Sequence, residues 1–314
     1  MEKIPEPSSH LPVLYHEILN YISPISSGRY VDATLGAGGH AWGILDASAP
    51  DGKLLGLDID PQALAIAQQR LKFFKDRAIL VQASYQTLVQ QIRLVGWENV
   101  NGIVMDLGVS SMQIDTPERG FSFQQDGPLD MRFGSSQTIS AEELINTTAE
   151  KDLADLIWRY GEERQSRRIA HAIIQARPIH TTLQLAEIVK QAYKGPRGKL
   201  HPATRTFQAI RIAVNDELST LEKTLPNAIS ALAPGGKLAI ISFHSLEDRL
   251  VKQFFRLESK DCICPPDQPV CTCNHKATIN DLTRHPVESS EEEKEKNPRA
   301  RSARLRIAEK RNLA

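Results

Sequence analysis

The chain has 314 residues, of which 41% are hydrophobic and 6% aromatic. This composition excludes a mainly disordered chain, because it supplies enough apolar surface for a sizeable core. Thirty-eight Lys and Arg residues balance 38 Asp and Glu residues, so any nucleic-acid-binding surface must be local. The N-terminal residues lack an apolar signal segment, and no apolar run reaches the roughly 18 residues of a membrane span. We therefore expect a cytoplasmic protein that does not engage a membrane.

The first hundred residues alternate short apolar strands with helices. Strands are predicted at 30–35, 53–58, 78–82 and 102–106. Asp60 and Pro61 place an N-cap residue before a proline at the first helical position, which predicts a helix through Leu71. Short, nearly continuous apolar strands separated by helices are typical of a parallel sheet that is buried on both faces.

The middle of the chain has a different pattern. No convincing strand is present from about 115 to 198, whereas helix starts are predicted at Ser140 and Thr181. A fifth strand is predicted only at 237–242. We therefore predict an α/β core with an inserted helical domain. The predicted divisions are 1–114 for the first part of the core, 115–200 for the insertion and 201–314 for the second part of the core.

The C-terminal segment carries blocks of opposite charge. An acidic run at Glu288 and residues 291–293 predicts a solvated loop. Four arginines alternate with smaller residues between 299 and 306. We interpret this basic segment as a terminal strand, with a basic tail as the alternative.

A glycine cluster directly follows the first strand. Gly36, Gly38 and Ala41 fit the relaxed dinucleotide-binding pattern G-x-G-x-x-A. Such a loop allows the backbone to approach a ligand closely at a helix N-terminus. Taken alone, the pattern fits a nicotinamide enzyme, a methyltransferase or simply a tight turn.

Acidic residues end the neighbouring strands. Asp58 follows Gly38 by twenty positions, where a carboxylate can bind the ribose hydroxyls of an adenosine. Asp32 and Asp106 suit the ammonium and sulfonium groups of S-adenosylmethionine, and they would repel a pyrophosphate. These charges favour S-adenosylmethionine as the cofactor. Tyr85, after the third strand, is placed either to pack beside the adenine or to lie in the core.

Long stretches of the chain resemble the RsmH (MraW) family of S-adenosylmethionine-dependent 16S rRNA cytosine-N4 methyltransferases. The similar segments are HLPVL at 10–14, YVDATLGAGGH at 30–40, DLGVSSMQ at 106–113, RGFSF at 119–123, PLDMR at 128–132, HPATRTFQA at 201–209, ISFHSLEDR at 241–249 and NPR at 297–299. They cover most of the chain and are far more specific than a glycine loop.

The resemblance implies a Rossmann-like class I methyltransferase sheet, mostly parallel and of seven strands, in which the helical insertion shapes an RNA-facing cleft. The implied cofactor-binding residues are Gly38, Gly39, His40, Asp58, Tyr85, Asp106 and Gln113. The family often has Phe where Tyr85 stands, and either residue keeps an aromatic ring. It often has Pro where Met112 stands, so the loop is less rigid here, but no polar group is lost. The implied substrate is a decoding-region cytosine of 16S rRNA, within the small ribosomal subunit. No obligate protein partner is inferred.

The exocyclic amine of cytosine is a poor nucleophile, so the enzyme must align it with the donor methyl group and accept its hydrogen bonds. Many amino-methyltransferases use an Asp/Asn-Pro-Pro-aromatic motif after the fourth strand, and this chain has DLGVS at 106–110 instead. The acceptor could be Asp106, a loop carbonyl or Ser110. His244 is a candidate catalytic residue, either as a general base or in a positioning role. The proton could also pass directly to water.

Basic residues dominate the end of the predicted insertion. Ten Lys and Arg residues lie between Arg164 and Arg211, against the single acid Glu187. The early arginines fit either a solvated helix face or an RNA surface. The broken basic loop at 194–199 suits phosphate contacts better. The predicted RNA-binding residues are Arg197, Lys199 and Arg205.

All four cysteines lie between 262 and 273, with His275 close by. Their spacing is C-x-C rather than the C-x₂-C that is usual in zinc sites. We therefore predict a reduced loop without metal, with structural zinc as the alternative.

Two other functions stay open from the sequence. A nucleotide-dependent oxidoreductase is supported only by the relaxed glycine pattern. A ribosome-assembly factor without turnover would keep the same fold, although the predicted donor-pocket positions all carry competent residues.

Overall fold

The computed structural model describes residues 12–134, 138–195, 201–268 and 270–312. The chain divides into two units. The sheet unit comprises Met1–Gly108 and Thr220–Ala314, and the helical unit comprises Val109–Ser219.

The sheet unit contains all eight strands found in the described residues. They are β1 (Arg29–Asp32), β2 (Lys53–Asp58), β3 (Ala78–Gln82), β4 (Val100–Asp106), β5 (Leu232–Ser242), β6 (Ile279–Asp281), β7 (Val287–Glu288) and β8 (Arg304–Lys310). Their order is β3-β2-β1-β4-β5-β8-β6, and β7 also pairs with β8. Strands β1 to β5 are parallel, whereas β8 runs antiparallel to β5. The predicted Rossmann-like fold is confirmed, with eight strands rather than seven because the two-residue β7 adds to the sheet.

Thirteen α-helices occur in the described part of the chain. Those before residue 109 are α1 (Tyr15–Ile22), α2 (Gly39–Ala47), α3 (Pro61–Leu71) and α4 (Leu88–Leu94). The next six are α5 (Ser111–Asp115), α6 (Ala141–Thr147), α7 (Glu150–Gly161), α8 (Ser166–Gln175), α9 (Thr182–Ala192) and α10 (Thr204–Asn215). The last three are α11 (Glu217–Ala231), α12 (Ser245–Glu258) and α13 (Glu291–Lys296). None of the described helices is long and apolar enough to cross a membrane.

Successive residues of the central strands belong alternately to two separate hydrophobic clusters. Leu55 and Ile103 belong to one cluster, whereas their neighbours Leu54 and Val104 belong to the other. Because successive side chains of a strand point to opposite faces, the sheet is buried on both sides. This burial explains why the strands are nearly continuous apolar runs, as the sequence predicts.

The predicted terminal strand is confirmed for the second half of the basic segment, because Arg304–Lys310 form β8, whereas Pro298–Ser302 form a 3₁₀ helix. Arg306 of β8 is buried, and its Nε donates to Oδ1 of Asp248 in α12 at 2.7 Å. Arg304 contacts the same carboxylate at 3.2 Å from a half-exposed position. Burial raises the pKa of Asp248, but the hydrogen bond and charge of Arg306, with the charge of Arg304, outweigh burial and lower it.

The predicted acidic loop is wrong in part, because residues 291–296 form helix α13. Ser290 is its N-cap and accepts from the backbone N–H of Glu293 at 3.2 Å. Three glutamates in the first turn and two lysines in the last turn complement the helix dipole. Lys296 also pairs with Glu292 four residues earlier at 2.6 Å. Capping and charge order therefore favour a helix over a loop here.

The helical unit has its own hydrophobic core, which includes Ile145, Ile157, Ile173 and Val189. The predicted start of α9 at Thr181 is confirmed by a reciprocal capping box with Gln184. The predicted insertion covers 115–200, whereas the unit extends over Val109–Ser219 and takes in α10. Phe207 and Ile210 of α10 are part of its core, and their helical spacing carries no mark of a domain boundary.

Candidate active site

Three aspartates end neighbouring strands of the parallel sheet. Asp32, Asp58 and Asp106 are the last residues of β1, β2 and β4. Strand β1 lies between β2 and β4, so the chain order changes direction at β1 and β4. The carboxyl ends of strands at such a switch point line the crevice in which α/β proteins bind ligands.

The glycine loop leads from β1 into α2. Gly38 is the N-cap of α2 with a φ of 75°, a left-handed conformation that favours glycine. A Cβ at Gly39 would lie 3.0 Å from Cγ of Pro12. Gly38 therefore lets the loop turn tightly into α2, Gly39 lets Pro12 pack closely against it, and His40 follows in the first helical turn.

Asp58 holds the glycine loop against β2. Its Oδ2 accepts from the backbone N–H of Gly36 at 2.8 Å, and its Oδ1 accepts from that of Asp60 at 2.9 Å. Burial raises the pKa of Asp58 despite these hydrogen bonds. Asp60 instead caps α3 by accepting from the N–H of Gln62 at 3.0 Å, which confirms the capping role predicted for it.

His40 and Asp106 meet in the interior of the site. Nε2 of the buried His40 lies 3.8 Å from Oδ2 of Asp106. Among the described residues, neither ring nitrogen of His40 nor Oδ1 of Asp106 has a hydrogen-bond partner. Burial, with the charge of Arg70, lowers the pKa of His40 to about 4, so its ring is neutral at pH 7.

The carboxyl groups of the site resist ionisation. Burial and repulsion by Asp58 raise the pKa of Asp32 to about 7, although backbone hydrogen bonds oppose the shift. Burial and repulsion by Asp32 and Glu247 raise the pKa of Asp106 to about 8, even though 27% of its side chain is exposed. The cause in each case is the high free energy of a buried negative charge near other acids.

This arrangement fits a cationic ligand. Several acidic groups converge on one edge, and Asp106 offers an acceptor oxygen with no partner in the described part of the chain. A positive charge would offset their mutual repulsion, whereas a pyrophosphate would increase it. The residues therefore fit S-adenosylmethionine, which carries an ammonium and a sulfonium group, better than a dinucleotide.

Two residues of this edge were missed by sequence reasoning. Oγ1 of Thr34 accepts from the backbone N–H of Asp106 at 2.6 Å and so links the ends of β1 and β4. Nη1 of Arg70 in α3 donates to the carbonyl of Ala37 at 3.5 Å. The position of Thr34, two residues after Asp32, was a usable signal. Arg70 carried none, because only the packing of α3 brings it to the loop.

Tyr85 lies at the end of the sheet after β3. It begins a short 3₁₀ helix, Tyr85–Thr87, whose N-cap is Ser84. Its ring is half-buried and packs against one of the two sheet clusters. A half-buried ring at this edge is compatible with both predicted roles, adenine packing and core packing.

Ser110 and Gln113 form a reciprocal capping box at α5, in the helical unit. Oγ of Ser110 accepts from the N–H of Gln113 at 3.2 Å, and Oε1 of Gln113 accepts from the N–H of Ser110 at 3.1 Å. The sequence S-x-x-Q carries this signal. The roles predicted for them in catalysis and donor binding stay predictions.

His244 is the N-cap of α12. Its Nδ1 accepts from the backbone N–H of Glu247 at 3.3 Å, and its Nε2 lies 3.2 Å from Oε1 of the same residue. A general base would need the lone pair that already accepts the capping bond. The geometry therefore favours the positioning role over the general base.

The predicted RNA-binding residues have different surroundings. Arg205 is half-exposed and lies 3.7 Å from the buried carboxylate of Glu163. Arg197 and Lys199 lie outside the described residues. Arg211 makes a two-point ion pair with Glu217 at 2.8 and 2.9 Å, which removes it from a free basic surface.

Comparison with known proteins extends over nearly the whole chain. The profile of the MraW methylase family matches residues 7–311. A Dehalococcoides mccartyi protein named ribosomal RNA small subunit methyltransferase H is 51% identical over 301 residues, which cover 96% of this chain and 86% of that protein. A protein of the same name from Geotalea uraniireducens is 50% identical over 308 residues, which cover 96% and 98%.

Solved structures add only a loose likeness. The structure of an rRNA methylase from Streptococcus thermophilus covers 97% of this chain and 100% of its own, at 12% identity and a TM-score of 0.45. Such a score adds nothing to the sequence relationship, which includes both the sheet unit and the helical unit. On that relationship, the chain belongs to the MraW methylase family, whose methyl donor is S-adenosylmethionine.

Proposed function

We propose that this protein transfers a methyl group from S-adenosylmethionine to the exocyclic N4 amine of a cytosine in the decoding region of 16S rRNA. The assignment of S-adenosylmethionine as the methyl donor rests on one observation. Three acids with raised pKa values lie at adjacent strand ends: Asp32, Asp58 and Asp106. The rRNA target is supported by the names of relatives that are about half identical over 96% of this chain. A ribosomal substrate also agrees with a cytoplasmic location.

The donor would be held by the sheet edge. Asp58 is fixed by two backbone N–H groups, which leaves its outer lone pairs for the ribose hydroxyls. Asp32 and Asp106 would face the positive groups, and Gly38, Gly39 and His40 would contact the amino-acid end. When bound, the donor supplies an electrophilic methyl group on a positively charged sulfur.

The acceptor amine needs alignment more than activation. Its lone pair is delocalised into the cytosine ring, so the enzyme must hold it in line and accept its hydrogen bonds as charge develops. Oδ1 of Asp106 is suited to this, because it has no partner among the described residues. We assign Asp106 as the amine acceptor, with the proton passing to water. Ser110 and His244, both helix caps, are assigned supporting roles.

The target base must be unstacked to reach this edge, since enzymes that act on a base require it to be single-stranded or everted. The helical unit supplies basic residues for such a substrate. Arg164, just before α8, and Arg167 and Arg168 in its first turn are exposed. Trp158 near the end of α7 is also 55% exposed and could stack on a base.

The decisive experiment is mass mapping of modified nucleosides in 16S rRNA after incubation with the protein and a labelled donor. The expected result is one N4-methylcytidine in the decoding region. Parallel reactions with naked rRNA and with small subunits identify the substrate form. Label on another nucleoside would overturn the target, and no transfer to either substrate would favour a non-catalytic assembly factor.

A thermal-shift comparison tests the oxidoreductase alternative separately. S-adenosylmethionine should raise the melting temperature in a concentration-dependent way, because a ligand that binds only the folded state stabilises it. NAD should leave it unchanged. The opposite result would overturn the methyl-donor assignment.

A further inference from the structure

The loop between α12 and β6 brings four thiols together. Sγ of Cys262 lies 3.5 Å from that of Cys271 and 3.8 Å from that of Cys273, and Cys271 and Cys273 are 3.6 Å apart. With Cys264, all four sulfur atoms lie within 4.8 Å of one another. The two C-x-C pairs, nine residues apart along the chain, thus form a single cluster of four thiols.

The separations match one tetrahedral metal ion. A tetrahedron with Zn–S bonds of about 2.3 Å has S···S edges of about 3.8 Å. A disulfide would need a sulfur separation of about 2.05 Å. In a polynuclear iron–sulfur cluster the cysteines bind different iron atoms, so their sulfur atoms would lie farther apart than the edges of one tetrahedron.

The backbone of the loop also turns toward the sulfur atoms. The N–H groups of Ile263 and His275 donate to Sγ of Cys273 at 3.5 Å, and that of Thr272 donates to Sγ of Cys264 at 3.5 Å. Hydrogen bonds to sulfur favour the thiolate form, which is the form that binds metals.

Apolar packing contributes little to the described part of this loop's tip. Val270 is 68% exposed and Ile263 is 42% exposed, so the apolar side chains of the loop do not form a core. His275 does not complete the cluster, because its Nδ1 lies 2.9 Å from the carbonyl of Lys260 and its Nε2 lies 3.5 Å from Glu258. The four sulfur atoms are therefore the natural ligand set.

We propose that Cys262, Cys264, Cys271 and Cys273 bind one structural Zn²⁺ ion that closes the loop between α12 and β6. Four thiolates leave no open coordination position, so the ion has a structural role rather than a catalytic one. Asn274, directly after the last ligand, has a left-handed backbone with a φ of 51°, so the chain turns sharply where it leaves the cluster.

Metal analysis of the full-length protein tests the site. The protein is purified under reducing conditions without a metal-affinity step, and zinc, iron and free thiols are measured together. We expect about one zinc per chain and four thiols that react only after denaturation with a chelator. The double variant Cys264→Ser with Cys273→Ser should lose the zinc and become cleavable by protease within residues 259–278.

Two single variants make the assignment specific. Thr272→Ser in the same loop is the matched control, and His275→Ala tests whether the histidine is a ligand. Both should retain zinc. S-adenosylmethionine binding by the double variant should persist, which separates loss of the ion from general unfolding.

Other outcomes would overturn the proposal. Four free thiols in a metal-free chain would mean a reduced loop, and paired thiols would mean disulfides. Iron in place of zinc would refute the proposed identity of the metal. Loss of zinc in His275→Ala would refute the four-thiolate ligand set.

Discussion

Asp106 combines an unsatisfied oxygen with a pKa of about 8, and Asp32 beside it has a pKa of about 7. Both carboxyls are therefore largely protonated below pH 7 without a ligand. A cationic ligand favours the ionised forms, so its binding must release protons. Proton release distinguishes a carboxylate-lined cation site from one held by neutral hydrogen bonds.

We predict that the affinity for S-adenosylmethionine falls by more than about tenfold from pH 8.5 to pH 6.5, because protonated Asp106 no longer offsets the positive charge. Calorimetry in buffers of different ionisation enthalpy should detect the released protons near pH 7. Asp106→Asn should bind more weakly at high pH and show a flatter pH profile. An affinity that does not vary with pH in the unmodified protein would contradict this electrostatic account.

Asp58 provides a second prediction, because it organises the glycine loop as well as facing the crevice. Asp58→Asn places an amide N–H₂ where a backbone donor needs an acceptor. We expect a loss of donor affinity of about 1–3 kcal/mol, the range for an unsatisfied buried group. Equilibrium binding of S-adenosylmethionine measures it.

Asp60→Asn is the matched control for Asp58→Asn. It removes a carboxylate from the same turn, but asparagine still caps α3 by accepting from Gln62. The affinity of Asp60→Asn for S-adenosylmethionine should stay close to that of the unmodified protein. Equal losses in the two variants would mean that only the net charge of the turn matters.

At the scale of elements, the attachment of β8 depends on a buried ion pair. Arg306 and Asp248 are both nearly inaccessible, and their closest contact is 2.7 Å. Arg306→Met should lower the free energy of unfolding by about 3–5 kcal/mol, because it leaves the carboxylate of Asp248 buried without its main partner. Urea unfolding at pH 7 measures the loss.

Arg304→Met is the matched control on the same strand. Arg304 contacts the same acid, but 46% of its side chain is exposed, so its loss should cost no more than about 1 kcal/mol. The pKa of Asp248 is lowered in the folded protein. The stabilisation from ionised Asp248 is therefore complete above the pKa of this residue in the unfolded chain, and it disappears as the pH falls through the pKa in the folded protein. In acid, the free energies of unfolding of the two variants should therefore converge. Equal effects at pH 7 would refute the buried pair.

The elements that the sequence predicts are those with a local signal. The apolar runs of β2 and β3 and the Asp60-Pro61 start of α3 are all found where expected. The acidic helix α13 was missed because its negative charge suggested solvation, although Ser290 carried a capping signal. Strand β7 has only two residues, Val287 and Glu288, and depends on pairing with β8.

The residues of the candidate site also divide into those with a local sequence signal and those without one. Asp58 and Asp106 were predictable because a strand end is a local feature and parallel topology places such ends together. The hydrogen bond from Arg70 to the carbonyl of Ala37 was not predictable, because only the packing of α3 brings these distant residues together. The convergence of the four thiols also required the folded loop, since C-x-C spacing alone argued against a metal.

At the scale of the whole molecule, 38 positive and 38 negative residues cancel, so net charge cannot draw the protein to RNA. Attraction must come from a local cluster that lacks acidic partners. Lys190 is compensated by Glu187 at 2.7 Å, and Arg211 by Glu217 at 2.8 Å. Arg164, just before α8, and Arg167 and Arg168 in its first turn are exposed. Among the described residues they are the strongest candidates for RNA contacts.

We predict that replacing these three arginines by alanine weakens binding to small-subunit rRNA. The slope of log K against log salt should become about 2 smaller in magnitude, because each lost phosphate contact on a single strand removes about 0.7. Lys190→Ala is the matched control, and it should change the slope little because its charge is already paired. Arg197→Ala with Lys199→Ala, outside the described residues, should act in the same direction as the triple variant. If the slope of the triple variant stays unchanged across the titration, α8 is a solvated face and the RNA surface lies elsewhere on the chain.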